Sequence, residues 1–426
     1  WGVFWSLAGT VISRGLMLLA SILVARILGQ TVFGELGMIR LTIGMVGVFA
    51  EFGLGLTATK HVAEFRASDP DRAGRIIGIS GWFAMFTGAL MAGILFLSSS
   101  WLSEHSLEAP HLALELRIGA LYLFISALNG AQIGALSGFE AFKSIARVNL
   151  LVGLLSFPIL LLAVWYGGLP GAVWALTINL GINWLFNHIA LRREARRFGV
   201  PLHFRGCVRE WPVLWAFSLP VILGNVLVWP VRWICGTLLV RQPGGFDEMA
   251  ILNAADYWYA MLLFLPDLLG QIMLPVVSEQ LGVKAKQTAR KIMILAIQLN
   301  VTVLLPFVVL LSVASPYIMN FYGENYRSSW PTLVVSLVTA LLIAGQSPIG
   351  FYISASGRVW AGFIMKLCWG SVYILSTVLL LHQGALGLAV ARAVSYVVFT
   401  IVTGWFVFCV VHGQKATHEA VAPPGA

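Results

Sequence analysis

Long apolar blocks run from one end of the chain to the other, separated by short segments rich in Gly, Pro and charged residues. With their flanking residues, blocks such as 82–97 and 301–314 reach the length of about 20 residues that a helix needs to cross a bilayer. The pattern predicts an all-α polytopic membrane protein with twelve transmembrane helices. The predicted spans are Phe4–Ile27, Phe33–Leu56, Ile76–Ser99, Leu112–Leu136, Ala146–Trp165, Pro170–Leu191, Trp211–Leu239, Ala250–Val277, Ile292–Ala314, Trp330–Ile353, Val359–Leu381 and Ala385–Val411.

The loops between these spans carry basic residues mainly on one side. The loops after the even-numbered spans, together with the adjoining span ends, hold eighteen Lys and Arg residues, whereas the opposite side has only Arg26, Arg241 and Arg327. Cytoplasmic loops of membrane proteins are enriched in Lys and Arg. We therefore expect both termini in the cytoplasm. Trp1 lies at the edge of the first predicted span, and we expect a few native residues before it and no cleavable signal peptide.

Composition supports a membrane protein and excludes several other classes. Of the 426 residues, 59% are hydrophobic and 11% are charged, against about a quarter charged in soluble proteins. The net charge of +9 is spread over separate loops without a nucleic-acid-binding motif, so we expect no nucleic-acid partner. The four cysteines lack disulfide or zinc spacing. We therefore expect no metal site and no cofactor.

Weak internal similarity suggests that the two halves are repeats. Phe33 and Phe246, Gly134 and Gly350, Ser137 and Ser356, and Gly171 and Gly387 are separated by 213 to 219 residues. Two six-helix halves with the same orientation would be related by an axis along the membrane normal, as in many transporters. The predicted domains are an N-terminal lobe at 1–191, an arginine-rich cytoplasmic linker at 192–211 and a C-terminal lobe at 212–426.

Several motifs resemble those of one membrane protein family. ARILGQTVFGELG (25–37), EFGLG (51–55), the segment 255–279, FYGENYRSSWPTL (321–333) and ISASGRVW (353–360) occur in the family's order. By these motifs the chain resembles the polysaccharide or O-antigen flippases of the multidrug/oligosaccharidyl-lipid/polysaccharide exporter superfamily. The resemblance implies a V-shaped fold of two pseudo-symmetric six-helix bundles around a central cavity.

The resemblance also implies a function. The chain would flip undecaprenyl-pyrophosphate-linked oligosaccharide repeat units across the bacterial inner membrane by alternating access, for O-antigen, capsule or exopolysaccharide synthesis. Its partners would be the polyprenyl-pyrophosphate-linked oligosaccharide, the lipid bilayer, and polysaccharide polymerase or assembly proteins. A non-enzymatic transporter is expected.

Charged residues inside the spans are the candidate site residues, because charges in lipid are costly and usually functional or paired. Guanidinium groups suit a pyrophosphate because their planar fork donates two hydrogen bonds and stays charged. The candidate substrate-binding residues are Arg14, Arg40, Arg232 and Arg392, with Arg14 foremost because it lies near the middle of span one. Arg232 and Asp256 match in depth, so an ion pair between them is the competing interpretation.

Acidic residues are the candidates for coupling to a proton or sodium ion. Asp256, Asp267 and Glu51 lie within or at the end of predicted spans, where each could instead be a counter-ion. Glu115 lies nearer an interface. Two alternative functions remain open at this stage. A cation or drug antiporter of the same superfamily would need acidic cargo sites, and a membrane polysaccharide polymerase or ligase would need larger outer loops and catalytic groups.

Overall fold

The computed structural model describes residues 2–51, 53–202, 207–211, 226–282, 286–355 and 359–419. Nearly all of these residues are helical, and the described part contains no strand. The helices are α1 Gly2–Leu28, α2 Gln30–Glu51, α3 Leu54–Phe65, α4 Pro70–Trp101, α5 Ala113–Gly138, α6 Phe142–Arg197, α7 Val228–Val240, α8 Gly245–Gly282, α9 Lys286–Tyr322, α10 Trp330–Ala355, α11 Val359–Leu380 and α12 Gly384–Glu419. This architecture confirms the predicted all-α class.

The helices follow most of the predicted spans, but the second span, Phe33–Leu56, divides between α2 and α3, and two further spans are joined in α6. Its 56 residues contain both predicted spans Ala146–Trp165 and Pro170–Leu191. The two arms meet at Gly168, whose φ of 54° and ψ of −134° are not helical and suit a residue without a side chain. α6 is therefore two helical arms that meet at a kink at Gly168.

Seven stretches of the described residues are long and apolar enough to cross a membrane. One of them is the two-armed α6, and another joins α11 with most of α12. Part of the seventh predicted span lies outside the described residues, and only its end is seen, as α7. The count of twelve spans therefore stays a prediction.

The chain forms two compact units, which we call unit 1 and unit 2. Unit 1 contains Trp1–Ala254 and Phe321–Asn325, and unit 2 contains Ala255–Asn320 and Tyr326–Ala426. Unit 1 thus includes α7 and the beginning of α8. The predicted lobes at 1–191 and 212–426 rest on the sequence repeat and stay a prediction.

Unit 1 includes the arginine-rich connector at 192–211 as far as it is described. Val200 lies in an apolar cluster with Val62 of α3 and Leu136 of α5, and Cys207 lies in another with Leu54 of α3 and Phe83 of α4. A side chain in place of Gly74 would collide with the carbonyl oxygen of Pro201. Apolar burial of this kind favours an ordered segment. The described part of the connector is therefore packed against unit 1.

Polar contacts hold the end of the same connector. Glu210 is 7% exposed and accepts hydrogen bonds from Nε of Arg72 and Nε of Arg75, each at 3.3 Å. The guanidinium of Arg72 also lies 4.1 Å from the ring centre of Phe65. One carboxylate from the connector thus bridges two arginines at the beginning of α4.

Glycines let α7 and the start of α8 approach α2 within unit 1. A side chain at Gly34 would collide with the carbonyl oxygen of Phe246, and one at Gly236 would meet Leu41 at 2.7 Å. One at Gly44 would meet the ring of Trp229 at 2.5 Å. Small residues at such contacts are typical of helix packing in membranes.

Unit 2 is held by apolar packing and by polar groups between its helices. Met293 of α9, Tyr352 and Ile353 of α10, and Met365 of α11 form a buried cluster. Nδ2 of Asn300 in α9 donates to the carbonyl oxygen of Ala344 in α10 at 2.8 Å. Because lipid offers no competing partner, such interhelical bonds contribute to the folded unit.

Candidate functional site

The predicted site residues divide between the two units. Unit 1 holds Arg14, Arg40, Glu51 and Arg232, and unit 2 holds Asp256, Asp267 and Arg392. Arg14, Arg40 and Arg232 are each half-buried, whereas Arg392 is fully buried. The structure therefore places three of the four candidate arginines on one compact unit.

Arg40 and Arg232 lie on two helices that pack against each other. Nε1 of Trp233 in α7 donates to Oγ1 of Thr42 in α2 at 3.0 Å, and the ring of Trp229 covers Gly44. Arg232 precedes Trp233, and Arg40 lies two residues before Thr42, so both guanidiniums start from the same stretch of this helix pair. The Arg232 guanidinium lies 5.7 Å from the ring centre of Trp229. The tryptophans that flank Arg232 in the sequence thus fix its helix against α2.

The other end of α2 faces α5 through polar groups. Oγ of Ser126 donates to Oε1 of Glu51 at 3.3 Å. Tyr122, one helical turn earlier in α5, lies within electrostatic range of both Arg40 and Glu51. Glu51 is exposed, as expected for an accessible carboxylate at the end of a helix. Its coupling role stays a prediction.

A row of amide side chains on α6, facing α5, was missed by the search for charged residues. Nδ2 of Asn187 donates to Oδ1 of Asn129 at 2.9 Å and to Oδ1 of Asn183 at 2.7 Å. Asn187 is 1% exposed and Asn129 is 7% exposed. The signal was visible in the sequence, because Asn179, Asn183 and Asn187 recur every four residues in an apolar span and so share one helix face.

The same polar region extends to a second pair of side chains. Nε2 of Gln132 in α5 lies 3.3 Å from Nδ1 of His188 in α6. With its amide turned over, Gln132 would instead exchange two hydrogen bonds of 3.0 Å with Trp184. Unit 1 therefore carries uncharged donors and acceptors along one helix contact and arginines along another.

In unit 2, Arg392 of α12 is joined to Asp256 of α8. Nη1 of Arg392 donates to Oδ1 of Asp256 at 2.6 Å, and Nη2 donates to Oγ of Ser336 in α10 at 2.9 Å. The guanidinium lies 4.7 Å from the ring centre of Tyr259, and Arg392 is only 3% exposed. Arg392 is thus a partner of Asp256 that the sequence did not indicate, and the pairing of Arg232 with Asp256 stays a prediction. The substrate role of Arg392 and the coupling role of Asp256 stay predictions.

Arg14 and Asp267 complete the set. Arg14 lies in α1 next to Ser13, which packs against Gly153 of α6. Asp267 is exposed and follows the buried Pro266 in α8. The roles predicted for both residues remain untested by these contacts. Among the described residues, no group of three or more His, Cys, Asp or Glu is arranged to hold a metal ion.

Comparison with known proteins shows the family to which this chain belongs. A model of the family described as "Polysaccharide biosynthesis protein" matches residues 1–281, which is more than half of the chain. The chain belongs to this family. The match covers all of the predicted first lobe and continues through α8 almost to its end.

Individual relatives agree with the family. The chain is 25% identical over 399 residues to the EPS I polysaccharide export inner membrane protein EpsE of Ralstonia nicotianae, covering 91% of this chain and 89% of the relative. A multidrug resistance MATE family transporter of the MOP superfamily in an inward-facing conformation has a TM-score of 0.77 at 16% identity, covering 95% of this chain and 96% of that one. The lipid II flippase MurJ in an inward closed conformation has a TM-score of 0.69 at 14% identity, covering 95% and 87%.

These comparisons confirm the predicted family and its superfamily fold. This protein is a helical membrane protein, and it shares its architecture with the MATE and MurJ structures. Its relatives are named as export, transport and flippase proteins. These names support a transporter and not the alternative of a polysaccharide polymerase or ligase.

Proposed function

We propose that this protein flips undecaprenyl-pyrophosphate-linked oligosaccharide repeat units across the bacterial inner membrane by alternating access. The family, the export name of the Ralstonia relative and the fold shared with the lipid II flippase support this function. The observation that carries it is the combination, within unit 1, of guanidinium groups on α2 and α7 with amide groups on α5 and α6. A charged pyrophosphate and a hydroxyl-rich sugar need these two kinds of group.

The arginines are proposed to hold the pyrophosphate. Arg40 and Arg232 are half-buried on helices fixed together by the Trp233–Thr42 hydrogen bond. One arginine guanidinium can donate two hydrogen bonds to phosphate oxygens, and it remains charged in a poorly hydrated site. Arg14 of α1 would take part as the substrate moves through unit 1. Arg392 would contribute only if the substrate competes with Asp256.

The amides are proposed to replace water around the sugar hydroxyls. Asn and Gln side chains offer both donors and acceptors, as a hydroxyl does. Nδ2 of Asn187 is shared between two acceptors, and Oδ1 of Asn187 has no hydrogen-bond partner among the described residues. Asn187 itself is only 1% exposed, so the amides proposed to meet a sugar hydroxyl are its half-buried neighbours Asn183 and Gln132.

For the driving force, a proton or sodium ion is proposed, with Asp267 and Glu51 as the candidate sites. Both residues are exposed in the structure, whereas Asp256 is partly buried. The translocated lipid-linked oligosaccharide would then pass to polysaccharide polymerase or assembly proteins on the outer side of the membrane.

The test uses surface polysaccharide in a flippase-deficient strain, with the amount of membrane protein measured in parallel. We expect Arg14→Ala, Arg40→Ala and Arg232→Ala to reduce export at least tenfold at wild-type abundance. The matching Lys variants should keep partial export because they retain the charge but lose the planar fork. The control is Arg241→Ala, since Arg241 is exposed and its Nε bonds Glu108 at 2.7 Å. Full export from all three Ala variants would refute the proposed role of these arginines.

A direct assay separates the flippase from the antiporter of the same superfamily. Purified protein in proteoliposomes should move a lipid-linked oligosaccharide between leaflets and should not accumulate ethidium against a proton or sodium gradient. Ethidium accumulation without movement of the lipid-linked sugar would favour the antiporter.

Orientation in the membrane is proposed to have both termini in the cytoplasm. In a variant lacking the four native cysteines, Arg196→Cys in the connector should react with an impermeant maleimide only after spheroplasts are opened. Tyr166→Cys, beside the kink at Gly168, should react in intact spheroplasts. The reverse labelling pattern would overturn the orientation.

A further inference from the structure

Unit 1 contains an open cavity away from the arginines discussed above. Its volume is about 490 Å³, within the range of small-molecule sites. The walls come from the end of α1, the beginning of α2, the turn before α5 and the bend of α6. The polar residues in the wall are Glu35, His111 and Glu115, and Trp165 provides an aromatic surface.

The two carboxylates of this cavity are buried although they line open space. Glu35 is 8% exposed and Glu115 is 6% exposed. Oε1 of Glu35 lies 2.8 Å from Nε2 of His111, which accounts for one oxygen. Oε2 of Glu115 has no hydrogen-bond partner among the described residues. A buried carboxylate oxygen without a donor is costly, so a ligand that donates to it would be stabilised there.

The local fold explains why Glu115 is tolerated but not what satisfies it. Glu115 lies in the first turn of α5, where the helix dipole favours a negative charge. No lysine or arginine of the described chain lines the cavity. Arg117, two residues on, donates to Ser99 and Ser100. The one described lining residue that can carry a positive charge is His111, and it already contacts Glu35, so the cavity wall supplies no Lys or Arg to Glu115.

The chemistry of the wall selects one class of ligand. The carboxylates of Glu35 and Glu115 favour a cation that donates hydrogen bonds. The side chain of Trp165 can contact a cation or an apolar group. The described residues do not form a metal cluster, and the volume exceeds what a lone ion needs. We infer that this cavity binds a small organic amine, with its ammonium group between Glu115 and Glu35 and its apolar part against Trp165.

Three related probes test the inference by calorimetric titration of the protein in lipid nanodiscs, with empty nanodiscs subtracted. Phenethylamine carries an ammonium donor, 2-phenylethanol replaces it with a hydroxyl, and phenyltrimethylammonium keeps the charge without N–H donors. We expect phenethylamine to bind at least tenfold more tightly than either of the others. Equal affinity for the alcohol would overturn the inference in favour of a hydroxyl site, and equal affinity for the quaternary ion would overturn the role of the donors.

A matched pair of variants assigns the binding to Glu115. Glu115→Gln keeps the shape but removes the charge and should weaken phenethylamine at least tenfold. Glu104→Gln changes an exposed glutamate in the turn before α5 and should leave the affinity unchanged. Unchanged affinity in Glu115→Gln would refute the site. If Glu115→Gln fails to fold, the comparison of the three probes on the wild-type protein decides alone. These measurements do not involve polysaccharide export, so their outcome is independent of the proposed flippase activity.

Discussion

The two units treat their intramembrane arginines differently. In unit 2, Arg392 is 3% exposed and its guanidinium contacts a carboxylate, a hydroxyl and an aromatic ring. In unit 1, Arg40 and Arg232 are half-buried beside a helix contact made by tryptophans. The depth of a charge along a span is similar in both cases. The difference lies in burial, which favours a packing role for Arg392, whereas the ligand-binding role of Arg40 and Arg232 stays a prediction.

The largest effect is expected at the buried pair. Arg392→Ala would leave the carboxylate of Asp256 without the guanidinium that now neutralises it. Removing one partner of a fully buried ion pair costs about 3–5 kcal/mol of unfolding free energy, and because the side chain of Asp256 is 23% exposed, we expect a loss toward the lower end of that range. We expect a large fall in the thermal unfolding temperature of the purified protein, and reduced abundance in the membrane.

A double variant shows whether the loss comes from the stranded charge. Arg392→Met with Asp256→Leu removes both charges and should recover most of the stability lost by Arg392→Ala, because apolar replacements of buried pairs are often neutral. If export also returns, the pair is structural. Stable protein without export would instead support the predicted roles of Arg392 or Asp256 in transport.

The next effect concerns the amide row of unit 1. Asn187→Leu removes a donor shared by Asn129 and Asn183, and interhelical hydrogen bonds in membrane proteins contribute about 0.6–2 kcal/mol. We expect a modest loss of unfolding free energy. Asn179→Leu is the control on the same helix face, since Oδ1 of Asn179 is buried without a hydrogen-bond partner among the described residues. Equal losses in the two variants would show that the row does not act through the Asn129 contact.

A smaller structural effect is expected at Arg232, although its proposed functional effect is large. Arg232→Met keeps an extended side chain and removes the contact with the Trp229 ring, and exposed cation–π contacts contribute about 0.5–1 kcal/mol. The unfolding temperature should change little while export falls. A loss of stability as large as that of Arg392→Ala would erase the proposed difference between the two units.

The sequence predicted the helical class, the family and most span positions, because these depend on hydropathy and on motifs along the chain. Helix partners were harder. Asp256 and Arg392 are 136 residues apart, and their pairing depends on how α8, α10 and α12 pack. Matching depths suggest Arg232 as a partner of Asp256, and that pairing stays a prediction, but depth gave no indication of Arg392. Hydropathy reports the height of a residue in the membrane but not the direction in which its side chain points.

The asparagines of α6 and the packing of the connector at 192–211 have only weak signals in the sequence. The four-residue spacing of the asparagines in α6 is visible in the sequence, but an uncharged amide is a weaker indication of a functional site in a membrane span than an Arg or Asp. The connector at 192–211 was expected to be a linker because of its arginines. Its apolar residues Val200 and Cys207, which dock it on unit 1, carry too little periodic signal to reveal that packing.

The connector provides the smallest expected effect, because its ion pairs lie in a wetter environment than Arg392. The side chains of Arg72 and Arg75 are 38% and 31% exposed, whereas that of Glu210 is 9% exposed. Glu210→Gln would remove the negative charge but leave both guanidiniums able to reach water. Ion pairs of this exposed kind contribute about 0.2–1 kcal/mol. We therefore expect a slight lowering of the unfolding temperature that shrinks in high salt. The Arg392→Ala loss should hardly respond to salt, because its pair is buried. A salt-insensitive loss of several kcal/mol in Glu210→Gln would show that the arginines of α4 depend on the connector as strongly as Arg392 depends on Asp256.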